Sequence, residues 1–310
     1  MNNLYYKFIF CFLFLTLSGI KAQQEIKPCQ QEPAFIRTLG YDPLWTGMST
    51  SEKTAIGISL IVFEKQAGKS SPNAQTPKQS VYQHPSWKMA GYLSTITFDF
   101  KGNIYTIPAP LISMLYNKTE KLNTIYSIDA NTGEMNEWKS LPFAAKPSNK
   151  NPFGLLGISY DCSGHFLAAA TVAGSDRYNE KGEIYLIDVA TQKVTDKLKN
   201  TDAMGLSFGI DEAGKKRLYF GKTRTGDIYS VLIGAKGTML KNSIRKELSL
   251  EGYGPRGDDK ARKIKFNGNQ LIINGTAFHY NLQASSEKPE TVYTFIWLPK
   301  QKKWGLIDYQ

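Results

Sequence analysis

ITFDFKGNIYTI, which begins at Ile96, is the first of four similar segments in this chain. The other three are ISYDCSGHFLAA from Ile158, LSFGIDEAGKKRLYF from Leu206 and IKFNGNQLIIN from Ile264. Each segment has a short apolar run, a turn that contains Asp, Asn or Gly, and a second apolar run. This pattern predicts a β-hairpin in every copy.

A second hairpin pattern follows each copy of the first. Its four copies are TIYSIDANTGEM from Thr124, EIYLIDVATQKV from Glu183, DIYSVLIGAKGT from Asp227 and VYTFIWLPKQKKW from Val292. Two successive hairpins predict a four-stranded antiparallel sheet, and the repeat length is close to that of propeller blades with insertions. The sequence therefore predicts an all-β fold, a β-propeller of four-stranded antiparallel blades.

The number of blades is predicted as five, with six as the alternative. Four blades are explicit, at about 89–146, 152–200, 201–250 and 255–310. A degenerate blade is expected in 30–88, with IGISLIVFE from Ile56 as its third strand. Six blades result if this first region is divided. We expect residues 23–310 to form one domain.

The first 22 residues have the layout of a secretory signal peptide: Lys7, an apolar run from Phe8 to Leu17, and a small residue at Ala22. The apolar run is too short for a permanent membrane span, which takes ~20 residues. We expect cleavage after Ala22 and a secreted or periplasmic protein. Cleavage leaves Cys29 and Cys162 as the two cysteines. An exported compartment permits a disulfide between them, with two free thiols as the alternative.

The chain is basic, with 38 Lys and Arg against 27 Asp and Glu and a formal net charge of +11. The lysines are spread over the whole length and form no long block of like charge. No recognisable nucleic-acid-binding module accompanies the charge. The composition therefore predicts no nucleic-acid partner, and the partners expected are a small polar or anionic molecule, a glycan or a protein.

In a propeller blade, the second-to-third-strand connection and the connection to the next blade emerge on one face. The long insertions of this sequence all fall in those two connections, so they share a face, which we call the elaborated face. Loops on a rigid scaffold often carry function. The predicted ligand-binding residues there are Tyr116, Arg177, Tyr178, Lys222, Arg224, Arg256, Asp258 and Tyr280.

Signatures of catalysis are scarce in the sequence. The three histidines, His84, His165 and His279, fall in different loops, and only His279 is expected on the elaborated face. A three-histidine zinc site is therefore not expected. His279 and Asp176 are the candidates for acid–base chemistry. No GXSXG motif, P-loop or dinucleotide fingerprint is present.

The pattern G-[IL]-x-[FY]-x3-G followed by LYF or IYLID resembles the SMP-30/gluconolactonase superfamily of six-bladed propellers. The resemblance is clearest at GLSFGIDEAGKKRLYFGKTRTGDIYSV from Gly205, and it covers about 150 residues. It implies a divalent cation such as calcium in the central channel. The cation would be held by a Glu of an E-G-P motif, by Asn residues before the innermost-strand glycines and by an Asp after the second strand.

This sequence departs from the ligand set that the resemblance implies. Glu32 and Pro33 lack the intervening glycine, Leu156 and Met204 stand where asparagines would lie, and Lys222 stands where the aspartate would lie. Calcium takes six to eight oxygen ligands, so no metal site of the family type and no cofactor is predicted. Glu32 and Asn151 are the remaining metal-ligand candidates for an alternative site.

Two functional hypotheses follow. The first is an exported propeller that binds a small polar or anionic ligand, a glycan or a protein on the elaborated face. The second is a hydrolase of the lactonase or esterase type with a rearranged metal or acid–base site. A dry channel closed by Leu156 and Met204 favours the first hypothesis, and converging oxygen-rich side chains favour the second.

Overall fold

The structure is a computed structural model that describes residues 31–51, 55–64, 78–110, 114–143, 145, 146, 148, 150–282 and 289–310. The predicted signal peptide and Cys29 lie outside these residues. The described chain is almost entirely β, as predicted. Its helices are α1 (Ala34–Thr38) and the 3-10 turns Pro43–Trp45, Pro85–Lys88 and Thr119–Lys121.

In the part of the chain that the structure describes, nineteen strands form five antiparallel sheets in chain order, which are the five blades of a β-propeller. Blade 1 contains β1 (Thr46–Ser49), β2 (Ser59–Phe63) and β3 (Gln79–Tyr82). Blade 2 contains β4 (Leu93–Phe98), β5 (Ile104–Pro108), β6 (Thr124–Ile128) and β7 (Met135–Ser140). Blade 3 contains β8 (Leu155–Asp161), β9 (Phe166–Thr171), β10 (Glu183–Asp188) and β11 (Val194–Lys199).

Blade 4 contains β12 (Ala203–Ile210), β13 (Lys216–Lys222), β14 (Asp227–Gly234) and β15 (Thr238–Ser249). Blade 5 contains β16 (Lys260–Asn267), β17 (Gln270–Thr276), β18 (Thr291–Leu298) and β19 (Lys303–Tyr309). Five blades are thus confirmed. Within the described residues blade 1 has three strands, and IGISLIVFE supplies its middle strand β2, so the expectation of a third strand there was wrong.

The repeated Asp-x-x-Gly pattern explains why blades 2, 3 and 4 each begin with a tight hairpin. In blade 2, Asp99 Oδ1 accepts hydrogen bonds from the backbone N–H groups of Lys101 (2.8 Å) and Asn103 (2.9 Å). Gly102 has a φ of +85°, a conformation that glycine adopts without steric cost. The carboxylate therefore accepts hydrogen bonds from backbone N–H groups that have no backbone partner in the turn.

Apolar clusters fill the seams between consecutive blades. One cluster joins blades 1 and 2, a second joins blades 2 and 3, a third joins blades 3 and 4, and a fourth joins blades 4 and 5. In β10 of blade 3, the residues Ile184 to Ile187 are all buried, because neighbouring blades cover both faces of the strand. The core of the protein therefore lies in its seams.

Glycine allows the innermost strands to approach each other closely. A Cβ atom at Gly157 of blade 3 would overlap the carbonyl oxygen of Met204 in blade 4. A Cβ at Gly205 of blade 4 would lie 2.6 Å from the carbonyl oxygen of Ala261 in blade 5. Any larger residue must push the two blades apart.

Among the described residues that precede blade 1, α1 lies on the face opposite to the elaborated one. Phe35 of α1 donates its backbone N–H to the Ala130 carbonyl (2.9 Å) and packs against Gly133 in a turn of blade 2. Cys162 lies in the first turn of blade 3 and is disulfide-bonded. Its pairing with Cys29 stays a prediction, because Cys29 lies outside the described residues. No helix in the described residues is long and apolar enough to span a bilayer.

The glycine contact predicts a strong effect of a single methyl group. We expect Gly157→Ala to lower the free energy of unfolding by about 1–3 kcal/mol, the usual cost of overpacking a core. Gly47→Ala is the matched control, because a Cβ there meets no atom within 4 Å. Urea unfolding of both variants measures the difference. Equal stability of the two variants would contradict the packing described.

Candidate functional site

The elaborated face contains the long loops, as the strand order requires. Connections 109–123, 172–182 and 277–290 join second to third strands, and 141–154 and 250–259 lead to the next blade. The turns on the opposite face, such as 162–165 and 235–237, are short. The rigid sheets therefore present several irregular loops around one end of the channel.

An apolar cluster, which we call the plug, lies beneath these loops. It contains Phe153, Leu156, Val172 and Met204, with the partly buried Phe278, Tyr280 and Leu282 packed against them. Leu156 is 6% exposed and Met204 is 5% exposed. The ring centroids of Phe153 and Phe278 lie 5.5 Å apart, and those of Phe278 and Tyr280 lie 5.3 Å apart. The two positions where asparagine ligands were considered thus belong to a buried apolar cluster with aromatic rings packed against it.

Asp202 is the centre of a polar network beside the plug, and its side chain is fully buried. Its Oδ1 accepts hydrogen bonds from Ser175 Oγ (2.5 Å) and from the Gly182 backbone N–H (2.8 Å). Its Oδ2 accepts from Arg224 Nε (3.1 Å) and from the Tyr280 hydroxyl. These donors come from blades 3, 4 and 5, so one carboxylate connects the loops of three blades.

Arg224 extends this network to the tip of the blade 3 loop. Its guanidinium donates to the carbonyl oxygens of Asp176 (2.6 Å) and Arg177 (3.0 Å) while it pairs with Asp202. It also lies over the ring of Tyr280, 5.3 Å from the centroid. Arg224 was predicted to bind ligand, and the structure places its donors on protein groups.

Lys222, like Arg224, is paired with an acidic side chain of the protein. Its ammonium pairs with Glu180, and the same carboxylate accepts a hydrogen bond from the Asp202 backbone N–H (2.7 Å). Lys222 and Arg224 are therefore each paired with an acidic side chain, and the charge of these two cations is balanced within the protein.

Arg256 lies in a second network, between blades 4 and 5. Asp259 is fully buried, forms a two-pronged ion pair with Arg256 and accepts a hydrogen bond from the Tyr293 hydroxyl (2.7 Å). Arg256 also donates to the Pro289 carbonyl (2.8 Å). This network repeats the Asp–Arg–Tyr combination of Asp202, and in both blades the aspartate directly precedes the innermost strand.

The loop between the second and third strands of blade 3 carries the most exposed aromatic ring of the elaborated face. Tyr178 is 84% exposed, and the Arg177 guanidinium lies 6.0 Å from its ring centroid. Asp176 accepts hydrogen bonds from the backbone N–H groups of Tyr178 (2.7 Å) and Asn179 (2.8 Å). The Asn179 side chain and these N–H groups lower the pKa of Asp176 to about 2. This carboxylate is thus a turn former that stays ionised at neutral pH.

The other predicted residues are spread over the loops of the face. Tyr116 is exposed in the blade 2 loop and makes an edge contact with Tyr92, with centroids 5.6 Å apart. Asp258 and His279 are exposed in the loops of blades 4 and 5. The Asp202 network therefore brings together Arg224 and Tyr280. Arg256 lies in the separate Asp259 network, and Tyr116 and Asp258 lie outside both.

The two metal-ligand candidates lie on opposite faces. Asn151 is buried on the elaborated face, where its amide donates to the carbonyls of Val172 (2.7 Å) and Ser175 (2.8 Å). Glu32 lies beside Gly102 on the other face and pairs with Arg37. Among the described residues, no three His, Cys, Asp or Glu side chains are grouped to hold a metal ion. The apolar plug and the Lys222 pair do not fit the calcium site of the resembled family.

Sequence reasoning missed Asp202, Glu180 and Ser175. A signal for Asp202 was present, because an aspartate also precedes the innermost strand of blade 5, at Asp259. Glu180 and Ser175 have no counterpart in the repeat, and only the folded loops place them beside Asp202.

Comparisons with known proteins find similarity in fold only. No protein-family model and no curated protein matches the sequence. Similar structures include a 6-phosphogluconolactonase candidate from Bacteroides fragilis (14% identity, 82% of this chain, TM-score 0.44) and Kuenenia stuttgartiensis hydrazine synthase (13%, 70%, 0.41). A third is a Phanerochaete chrysosporium exo-β-1,3-galactanase (10%, 67%, 0.37). The chain covers 64%, 62% and 47% of these three, less than two thirds of each.

The Asp202 network predicts a large effect of a nearly isosteric change. Asp202→Asn removes a buried charge from Arg224 and turns an acceptor into a donor that faces other donors. We expect a loss of about 3–5 kcal/mol in the free energy of unfolding, the usual cost of breaking a buried ion pair. Asp308→Asn, at an exposed position, is the control and should change it by less than about 0.5 kcal/mol. Chemical denaturation decides between these outcomes.

Tyr280 predicts a fall in stability at alkaline pH. Burial, and then its hydrogen bond to Asp202, raise the pKa of Tyr280 well above its usual range. The folded protein holds this proton more tightly than the unfolded chain, so the stabilisation is complete below about pH 10 and is lost as the pH rises further.

Denaturation of the wild type and of Tyr280→Phe between pH 8 and pH 11.5 tests this effect. The variant should lose less stability above pH 10, by up to about 1 kcal/mol per pH unit. Tyr178→Phe removes an exposed phenol and should leave the alkaline loss unchanged. Parallel curves for the wild type and Tyr280→Phe would show that the Tyr280 proton is not coupled to folding.

Proposed function

We propose that this protein is an exported β-propeller that binds a glycan, or a polar molecule of similar shape, on its elaborated face without hydrolysing it. The observation that carries the proposal is the set of four hydrogen bonds to Asp202, which connects the loops of blades 3, 4 and 5. A binding surface held in place by such bonds loses little entropy when a ligand arrives.

The charges of the face support a ligand that is polar rather than strongly anionic. Lys222 and Arg224 are paired with Glu180 and Asp202, so their charge is already balanced. The exposed groups of the face include the ring of Tyr178, the Arg177 guanidinium and the ring of Tyr116. Rings and guanidinium groups pack against the apolar side of a sugar while neighbouring polar groups bind its hydroxyls.

The carboxylates of the face support binding rather than acid–base catalysis. Asp202 and Asp259 have their oxygens occupied by protein donors, and Glu180 is shared by Lys222 and a backbone N–H. Asp176 is held as an ionised turn residue. These groups stabilise loops, and a general acid needs a proton to donate near neutral pH. The lactonase or esterase hypothesis remains the alternative, with His279 as its candidate base.

Export is proposed from the first 22 residues, and the disulfide at Cys162 supports it, because disulfides persist in oxidising compartments. The location proposed is therefore secreted or periplasmic. Descent from the SMP-30/gluconolactonase superfamily is proposed from the motif at Gly205 alone. Under this proposal the ancestral channel site has been replaced by the plug.

Binding of the mature protein to an array of neutral and acidic oligosaccharides tests the function. We expect a neutral or weakly charged oligosaccharide to bind, and Tyr178→Ala or Arg177→Ala to weaken that binding by about tenfold, or ~1.4 kcal/mol. Phe100→Ala is the matched control, because Phe100 is an exposed aromatic residue on the opposite face. It should leave the affinity unchanged.

A parallel assay with glucono-δ-lactone, with and without calcium, distinguishes the hydrolase alternative. The proposal expects no turnover above the spontaneous rate in either condition. Turnover that His279→Ala abolishes would overturn it in favour of the hydrolase. Oligosaccharide binding that survives both Tyr178→Ala and Arg177→Ala would show that the face has been assigned wrongly.

A further inference from the structure

The innermost strand of blade 5 differs at one position from the innermost strands of blades 3 and 4. Gly157 precedes Ile158 in blade 3, and Gly205 precedes Leu206 in blade 4, where each glycine meets the next blade. Lys263 precedes Ile264 at the same register of blade 5. A long cationic side chain therefore occupies the position where blades 3 and 4 have a glycine in close contact with the next blade.

Blade 5 also has one face that its neighbour covers incompletely. Along β18, Thr291, Tyr293, Phe295 and Trp297 are buried, while the alternate residues from Val292 to Leu298 are partly exposed. The buried set packs on blade 4. A strand with such alternation has one packed face and one solvated face.

Blade 1 presents a matching apolar surface. Leu60 and Val62 of β2 pack towards blade 2, so Ile61 and Phe63 lie on the other face, where Ile61 pairs with Val81. Phe63 is 37% exposed and Val81 is 51% exposed. No apolar cluster of the described residues joins this face to blade 5. We call the space between the two faces the fifth seam.

The fifth seam carries uncompensated positive charge. The neighbouring cation, Arg262, pairs with Glu290 (2.5 Å), which also accepts a hydrogen bond from Asn274. The ammonium groups of Lys263 and Lys265 have no hydrogen bond or ion pair with any described residue. Burial, and the nearby cations Arg262 and Lys265, lower the pKa of Lys263 in spite of Glu290. A bound anion would relieve this electrostatic cost.

We propose that the fifth seam binds an amphipathic anion, whose charged head lies between Lys263 and Lys265 and whose apolar chain lies between the partly exposed faces of blades 5 and 1. The two lysines are two residues apart on one strand, so they project from the same face about 7 Å apart. That spacing lets both ammonium groups contact one carboxylate or phosphate. The apolar walls make a chain-bearing anion a better fit than a small inorganic one.

Calorimetric titration of the mature protein with decanoate tests this site, with 1-decanol as the uncharged probe of equal chain length. We expect decanoate to bind the wild type at least about tenfold more tightly than decanol. The double variant Lys263→Ala/Lys265→Ala should lose at least about tenfold in affinity for decanoate. Lys193→Ala/Lys199→Ala, two exposed lysines of blade 3, is the charge-matched control and should bind normally.

A variant of the apolar wall distinguishes the contribution of the apolar chain of decanoate from that of its carboxylate. Ile296→Gln should weaken decanoate about fivefold, and far-ultraviolet circular dichroism shows whether each variant is folded. The site is disproved if the wild type gives no binding heat, if decanol binds as well as decanoate, or if the Lys263/Lys265 variant binds like the blade 3 control. This site is separate from the elaborated face, so loss of either proposal leaves the other standing.

Discussion

The close contact between innermost strands is the constraint on which the rest of this structure depends. Gly157 and Gly205 let the strands of blades 3, 4 and 5 meet backbone to backbone, and the apolar seams fill outward from these contacts. With those blades fixed, their loops emerge at set positions on the elaborated face. Asp202 can then collect donors from three blades, which would be impossible if the seams allowed the blades to slide.

Charge pairing decides how the elaborated face is interpreted. The number of cations in the sequence suggests an anion-binding surface. Burial of a charge costs solvation free energy, however, and buried charges are therefore usually paired with an opposite charge. Lys222, Arg224 and Arg256 each have an acidic partner in the structure, and the groups that remain exposed include the rings of Tyr116 and Tyr178 and the Arg177 guanidinium. Lys263 and Lys265, which face the fifth seam, were not among the residues predicted from the sequence.

The repeat made the propeller, its order of strands and its elaborated face predictable from the sequence. Blade 1 was harder to predict, because Ser59–Phe63 is a single apolar run whose place in the sheet depends on its partners. The site was only partly predictable. Arg224 and Tyr280 could be placed on one face, but their shared acceptor Asp202 lies in a different connection. The Gly-to-Lys change at Lys263 was readable, yet its meaning requires the distances across neighbouring seams.

Hydrogen exchange tests most directly the claim that four seams are tightly packed and the fifth is not. β10 (Glu183–Asp188) and β18 (Thr291–Leu298) are both third strands, hydrogen-bonded to a neighbour on each side. Protection from exchange follows burial and local stability as well as hydrogen bonding. The account predicts that the amides of β18 exchange faster than those of β10 in the free protein. Equal protection of the two strands would contradict it, because blade 5 would then be covered on both faces.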